Sequence, residues 1–402
     1  MFPLFKPSSS CTLLYVHLPF CTTICPFCSF AVRRDRASAH EPYIKILLQE
    51  LTLNLDEENP EHLPLEVIYF GGGTPSRLTV SELEWLLRGI QRQWEFSPEV
   101  EITLECNPED VTREALQGWL FAGFNRFSMG GQSFQDPLLK KLGRVHNAAQ
   151  LRSALDCFHQ ENVGNWNLDL MFGIPGQTME DFSQDLEESL ANDPSHLSLY
   201  GLEIHPGTPF FHDQQIQEMQ SERSELEREL YLQALHKTAS MSLMQYEVSN
   251  FAKADFQSRS NLKVWDGQPY LGLGCGAHSF DGVNRWGNVR SMRKYMESVG
   301  REEPPRDFME TPTRLQQASE RLMLSLRRPE GLNILSWQEE FQIGLSLEQK
   351  NQMEKLKDQD LVSWESPILK LTTEGMLLAD AITAELMPDI QNEIMFNRKS
   401  VK

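Results

Sequence analysis

Three cysteines crowd into eight residues, Cys21-Thr-Thr-Ile-Cys25-Pro-Phe-Cys28, with the spacing C-x3-C-x2-C. Thiolates are natural ligands of iron–sulfur clusters. One short loop carrying three of them reaches three corners of a cubane. The fourth iron is then left open to a substrate or cofactor. A single zinc ion is the competing reading. Structural zinc takes four ligands, usually as two separated pairs. Here there is one triplet, and Cys11 or His17 would have to complete the set. With Cys106, Cys157 and Cys275 the cysteines total 7 in 402 residues. An odd number in so long a chain fits reduced thiols better than disulfide stapling.

The triplet follows Leu13 to Leu18 (LLYVHL), which reads as a strand. Further strand-like runs are Val67 to Phe70, Glu101 to Leu104, Arg126 to Met129, Trp166 to Phe172 and His196 to Glu203. Helical spacing lies between them, as in Ile44, Leu47, Leu48 and Leu51 behind a Ser38 cap, or Leu83, Leu86 and Leu87. Six strands alternating with helices predict an α/β fold with a parallel sheet, a partial (β/α)6 barrel. The strands end at Gly71-Gly72-Gly73, Asn107-Pro108, Gly130-Gly131 and Gly173-Ile174-Pro175. In parallel barrels such loops build the active site. Residues 219–243 read as one long polar helix. Residues 246–290 read as irregular, with Gly267, Gly272, Gly274 and Gly276 suited to close backbone approach. Helical patterns at 314–328 and 346–358 precede Leu361 to Glu365, Ile368 to Leu371 and a helix from Thr373. They predict a small helical or winged C-terminal domain. The expected division is a core barrel over 1–250, a connecting segment over 251–300 and the C-terminal domain over 301–402.

Hydrophobic residues make up 40% and charged residues 23%, an ordinary globular composition. Lys plus Arg is 37 and Asp plus Glu is 57, so the formal net charge is 37 − 57 = −20. Such a chain repels phosphate backbones, which argues against nucleic-acid and anionic-membrane partners. No apolar run reaches the length of a membrane-spanning helix, roughly 18 residues or more. The start, MFPLFKPSSSCTLLYV, has no secretory pattern, so a cytoplasmic protein is expected.

The cysteine loop resembles the signature of the radical S-adenosylmethionine enzymes. Tyr15-Val-His-Leu-Pro-Phe-Cys21 has the form of the coproporphyrinogen-dehydrogenase-like branch. So do Gly71-Gly-Gly-Thr-Pro-Ser76, Glu105-Cys-Asn-Pro108, Gly131-Gln-Ser-Phe134, Leu142-Gly-Arg-Val-His146, Asn167 to Pro175 and Gly272 to His278, in order. The resemblance implies that Cys21, Cys25 and Cys28 hold a [4Fe–4S] cluster whose open iron is chelated by S-adenosylmethionine. One electron then cleaves the sulfonium to give an adenosyl radical. It further implies that Gly72, Gly73 and Thr74 line the methionine moiety. Glu105 meets the amine or ribose, Gln132 and Asp169 the ribose, and Arg144 the carboxylate, with Tyr15 and Phe27 packing on the cofactor. An electron donor such as flavodoxin or ferredoxin is implied as a partner.

Two departures choose the branch. Coproporphyrinogen dehydrogenases carry a fourth cysteine two residues past the third, where this chain has Phe30, and a longer segment before the cluster. Both features resemble instead the haem-chaperone branch of HemW type, which binds haem and passes it to acceptor proteins. Coproporphyrinogen decarboxylation, or radical chemistry on another substrate, is the alternative. That branch has an H-N-x-x-Y-W motif, aligned here with Ser260-Asn261-Leu-Lys-Val264-Trp265. Serine is a poor iron ligand beside imidazole. His278, His205, His146 and Cys275 are the substitutes to consider.

Overall fold

Six apolar strands succeed one another: β1 (Leu13–Leu18), β2 (Leu65–Gly72), β3 (Phe96–Cys106), β4 (Arg126–Gln132), β5 (Trp166–Phe172) and β6 (His196–Gly201). They are seen in a computed structural model that describes residues 10–55, 62–221 and 224–387. Each strand pairs in parallel with the next. Strand order therefore equals chain order, and every crossover steps the same way. This is the winding of a barrel wall, whereas a doubly wound sheet reverses at a switch point. The fold is of the expected α/β class, and all six carboxyl ends meet along one rim.

The intervening helices are α1 (His40–Asn54), α2 (Val80–Gln91), α3 (Arg113–Ala122), α4 (Asp136–Lys141), α5 (Ala148–Gln160) and α6 (Met179–Ala191). Capping boxes open α2 (Thr79 with Glu82), α5 (Asn147 with Gln150) and α6 (Thr178 with Asp181). Each box satisfies amides at the helix start and so fixes where the rim loop ends. Ser38 does not cap α1. It lies in a 3-10 turn, and Ala39 precedes the helix without a side-chain bond. Pro42, third in the helix, leaves no amide there for a cap to serve.

The stretch read as a long polar helix is helical over its described residues to Ser240, in α7 (Gln214–Ser221) and α8 (Ser224–Ser240), with Leu230, Tyr231 and Ala234 buried. One expectation along the chain is corrected. The stretch read as irregular contains a helix (Arg259–Trp265) and the strands β7 (Tyr270–Leu273), β8 (His278–Phe280) and β9 (Arg285–Asn288). With β10 (Arg306–Glu310) they extend the sheet in the order β10-β9-β8-β7-β1, β7 running parallel to β1 and the rest antiparallel. Strands this short carry no periodicity to read. Their pairing with an existing edge defines them.

The chain divides into two compact units. The first takes 1–244, 251–263 and 268–310, the second 245–250, 264–267 and the chain from 311 on. In the second, helices Arg314–Leu326, Ile334–Phe341 and Leu347–Asp358 accompany a three-stranded antiparallel sheet with Ile368–Leu371 in the middle. Its core includes Leu322, Trp337, Leu356 and Leu369. Among the described residues no helix is long and apolar enough to cross a membrane.

One buried carboxylate binds α1 to the sheet extension. Glu50 accepts from Tyr295 Oη (2.5 Å), Asn288 Nδ2 (2.6 Å) and the Gly274 amide (2.8 Å). Burial pushes it up to about 7. The folded state thus holds the proton more tightly than the unfolded chain. That stabilisation is complete below the ordinary glutamate value and is lost as pH rises through about 7. The loss is on the order of 3 kcal/mol. Glu50→Gln cannot titrate. The gap in thermal midpoint between wild type and variant should therefore shrink from about pH 5 to about pH 8. A gap that stays constant would show that Glu50 is not the titrating group.

Candidate cofactor site

The cysteine loop leaves the rim at β1. Phe20–Cys21 pairs in parallel with Arg33–Arg34, so the loop returns beside its own start. Inside it the Cys28 amide donates to Cys25 O (3.1 Å). The three thiols are free and half-buried. Thr74 Oγ1 donates to Cys21 Sγ (3.7 Å) and Arg144 Nη1 to Cys25 Sγ (3.9 Å). Burial pushes the Cys21 thiol up to about 12 and raises Cys28 as well. Such thiols become ligands only when a cationic centre takes their protons.

The zinc alternative lacks its fourth donor. Cys11 is buried at the amino end of β1, its Sγ toward Leu13 O (3.5 Å). Both nitrogens of His17 are engaged, Nδ1 with Tyr15 Oη (3.2 Å) and Nε2 with Ala31 O (2.9 Å). Among the described residues no three His, Cys, Asp or Glu side chains gather closely enough to hold one metal ion. The triplet suits a larger, multi-iron group that spreads its ligands apart.

A hydrogen-bonded arc joins the thiols across four strands. Asn107 Nδ2 donates to Thr74 Oγ1 (3.2 Å), and Asn107 Oδ1 accepts from Arg144 Nη2 (2.6 Å), which also donates to Gly130 O (3.0 Å). The sequence places Asn107 at a strand end and within the motif Glu105-Cys-Asn-Pro108 but assigns it no contact. Arg144 Nε is buried with no acceptor. A half-buried guanidinium with an unused donor beside the thiols fits an incoming carboxylate.

Gln132 stands at the end of β4 with φ 68°, where the β4–β5 register shifts. A side chain rarely adopts this conformation unless neighbours enforce it. They do: buried Asp185 of α6 accepts from Ser133 Oγ (2.6 Å) and the Phe134 amide (2.7 Å). This holds Gln132 Nε2 and Asn107 Oδ1 close about Gly130, where a methyl group would lie 3.2 and 3.1 Å from them.

Two carboxylates complete the floor. Glu105 accepts from Tyr69 Oη (2.8 Å) and the Gly72 amide (3.1 Å). Burial, helped by the Asp169 carboxylate nearby, pushes Glu105 up to about 7. Asp169, also raised by burial, accepts from Asn167 Nδ2 (2.7 Å). Tyr15 stacks on Tyr69 with centroids 6.0 Å apart. Phe27 packs beside Phe210 (6.3 Å) at the edge of a cluster containing Leu142, Met171 and Ile174. Phe30 is 66% exposed.

What demands glycine at 72 and 73 is protein packing. A methyl group at Gly72 (φ 111°) would sit 2.4 Å from His17 Nδ1, and one at Gly73 2.8 Å from Leu18 O. The substitutes considered for a haem ligand separate. His146 is buried between Gly131 O (3.1 Å) and Glu109 (3.3 Å), and Cys275 is buried against Tyr43 Oη (3.6 Å). His146 is engaged in structure, and Cys275, though bonded to Tyr43, also lines a cavity beside the cysteine loop. His278, on β8, is exposed and packs against Phe308, and His205 is half-exposed beyond β6. Ser260 is far from the thiols. Its helix is tied to Glu101 and Glu99 of β3 through Arg259, and to Thr12 and Glu66 through Lys263. These residues lie toward the amino ends of the strands. The cysteines follow a carboxyl end, roughly 20 Å away for six residues of strand.

Gly72→Ala forces both a left-handed backbone and a clash with the His17 ring. The expected cost is about 2–4 kcal/mol, read as a lower thermal midpoint. An unchanged midpoint would mean that the ring can swing aside.

The Radical SAM superfamily model matches residues 15–188. The chain is 32% identical over 378 residues to the heme chaperone HemW of Bacillus subtilis, covering 94% of this chain and 99% of that protein. It is 38% identical over 268 residues to the HemW of Haemophilus influenzae, covering 66% and 69%. Its fold is similar to that of coproporphyrinogen III oxidase (HemN) from Escherichia coli, with a TM-score of 0.79, 21% identity and coverage of 94% and 91%. Radical SAM membership implies a [4Fe–4S] cluster and S-adenosylmethionine as cofactors. With close to a third of its residues shared along nearly a whole heme chaperone, this chain belongs to the HemW family of radical SAM proteins.

Proposed function

We propose that the protein is a haem chaperone of the cytoplasm: it binds haem and hands it to an acceptor protein. The likeness to the Bacillus HemW along 99% of that protein carries this reading. An exposed Phe30 in place of a fourth cysteine agrees with it.

In this reading Cys21, Cys25 and Cys28 ligate the cluster. When bound, the cluster and S-adenosylmethionine supply one-electron cleavage chemistry, fed by a donor such as flavodoxin or ferredoxin. The chain's own residues bind and orient. Arg144 meets the methionine carboxylate with its unused Nε donor, and Asn107 holds the guanidinium in place. Glu105, anchored by Tyr69, accepts from the amine, and Gln132 and Asp169 receive the ribose hydroxyls. Gly72, Gly73 and Thr74 present backbone along the methionine. Tyr15 and Phe27 pack around the site and keep water out.

Glu105 accepts most strongly from the amine when ionised. Affinity for S-adenosylmethionine should therefore rise as pH passes upward through about 7. Glu105→Gln should bind more weakly, with that pH step gone. Calorimetry on cluster-loaded protein at several pH values tests this, and a step that persists in the variant would reassign it.

Titrating anaerobic, cluster-loaded protein with haem should saturate near one haem per chain in the Soret band. Cys21→Ala should lose the cluster absorption. No saturable haem binding would sink the chaperone reading. So would anaerobic conversion of coproporphyrinogen to protoporphyrinogen.

A further inference from the structure

Beside the cysteine loop the first unit has a cavity of about 420 Å³. Five arginines line it: Arg33, Arg34, Arg36, Arg290 and Arg293. In a chain of net charge −20 this is a local reversal of sign. Among the described residues only Arg293 of the five has a carboxylate partner, Glu297 at 2.8 Å. Asp35, the one carboxylate within the run 33–36, is turned away to His40 (2.7 Å) and Arg77 (3.2 Å). Two of the arginines are braced, Arg33 Nη1 on Met292 Sδ (3.1 Å) and Arg290 on Ser29 O. Arg34 and Arg36 are exposed and unpaired. Five arginines thus line one concavity, with a single carboxylate partner among the described residues. Such an arrangement is favourable when an anion with more than one acceptor group enters.

The floor narrows the class of anion. Pro19, Val32 and Met292 also line the cavity. A small hydrated anion gains nothing from apolar walls. A ligand with an apolar body and carboxylate arms uses both parts. The cavity takes the edge of such a ligand rather than the whole of a macrocycle. Its position also matters. Arg34 is the backbone partner of Cys21, whereas Ser260 lies at the opposite ends of the strands.

We infer that this arginine cavity is the cargo site, receiving the propionate edge of a tetrapyrrole beside the cysteine loop. The inference rests on the haem-chaperone reading and assigns its cargo a place. Arg34 and Arg36 supply the free charge. Arg33 and Arg290, held by their own contacts, set the width.

The test compares anaerobic, cluster-loaded wild type with Arg34→Glu/Arg36→Glu and Arg34→Gln/Arg36→Gln. Cluster absorption and thermal midpoint serve as controls for folding, and both residues are exposed. Each protein is titrated with haem and with haem dimethyl ester. Haem binding should weaken tenfold or more in the charge-reversed variant and less in the Gln variant. The ester should bind wild type as weakly as haem binds the charge-reversed variant, and rising salt should weaken only haem. Saturable wild-type haem binding that neither the variants nor esterification changes overturns this site and leaves the chaperone reading intact. No saturable wild-type binding overturns both. Displacement of haem by millimolar inorganic phosphate, with no preference for haem over its ester, identifies a simple anion site and also overturns the inference.

Discussion

The imidazole of His17 joins three parts of the chain that would otherwise be independent. Its Nε2 donates to Ala31 O, just past the last cysteine, which leaves Nδ1 to accept from Tyr15 Oη. Burial holds the ring below the usual histidine range, and only the neutral ring can do both. The missing side chain of Gly72 makes room for it at the end of β2. One ring thus closes the cysteine loop, seats it on β1 and brings β2 alongside.

The rim follows from this joint. Thr74, Asn107, Gly130 and Arg144 carry hydrogen bonds from one thiol to another through the ends of β2, β3 and β4. Such a network is worth most when each member is satisfied. Here the main exception is Arg144 Nε, which is buried with no acceptor while Nη1 reaches the Cys25 thiol. The strained Gln132 and the two raised carboxylates Glu105 and Asp169 sit in the same bowl. Strain and carboxylates raised by burial are costly in a folding core and concentrate where binding repays them. The capped helices behind the rim supply the rigidity that holds them.

Much of this was legible in the chain itself. β1 and β5 run from the first to the last residue of their apolar patterns. The strands β2 to β4 begin or end beyond theirs, because pairing with neighbours carries a strand past its apolar centre. The short strands β7 to β9 could not be read at all. Their residues are indistinguishable from loop until an edge is offered to them. The glycines were legible as necessary, but the reason at Gly72 is a neighbouring imidazole.

By itself the sequence determined the cysteine triplet, the alternation that makes a parallel wall, and the family. Spacing and periodicity are local properties that need no partner. Tertiary structure alone decided what stands around the triplet. Asn107 became its bridge, Arg144 reached Cys25 from 119 residues away, and arginines from two distant segments met in one cavity. It also set Ser260 at the opposite ends of the strands. Hydrogen bonds and charge pairs form between neighbours in space, and only the closed sheet brings such distant residues together.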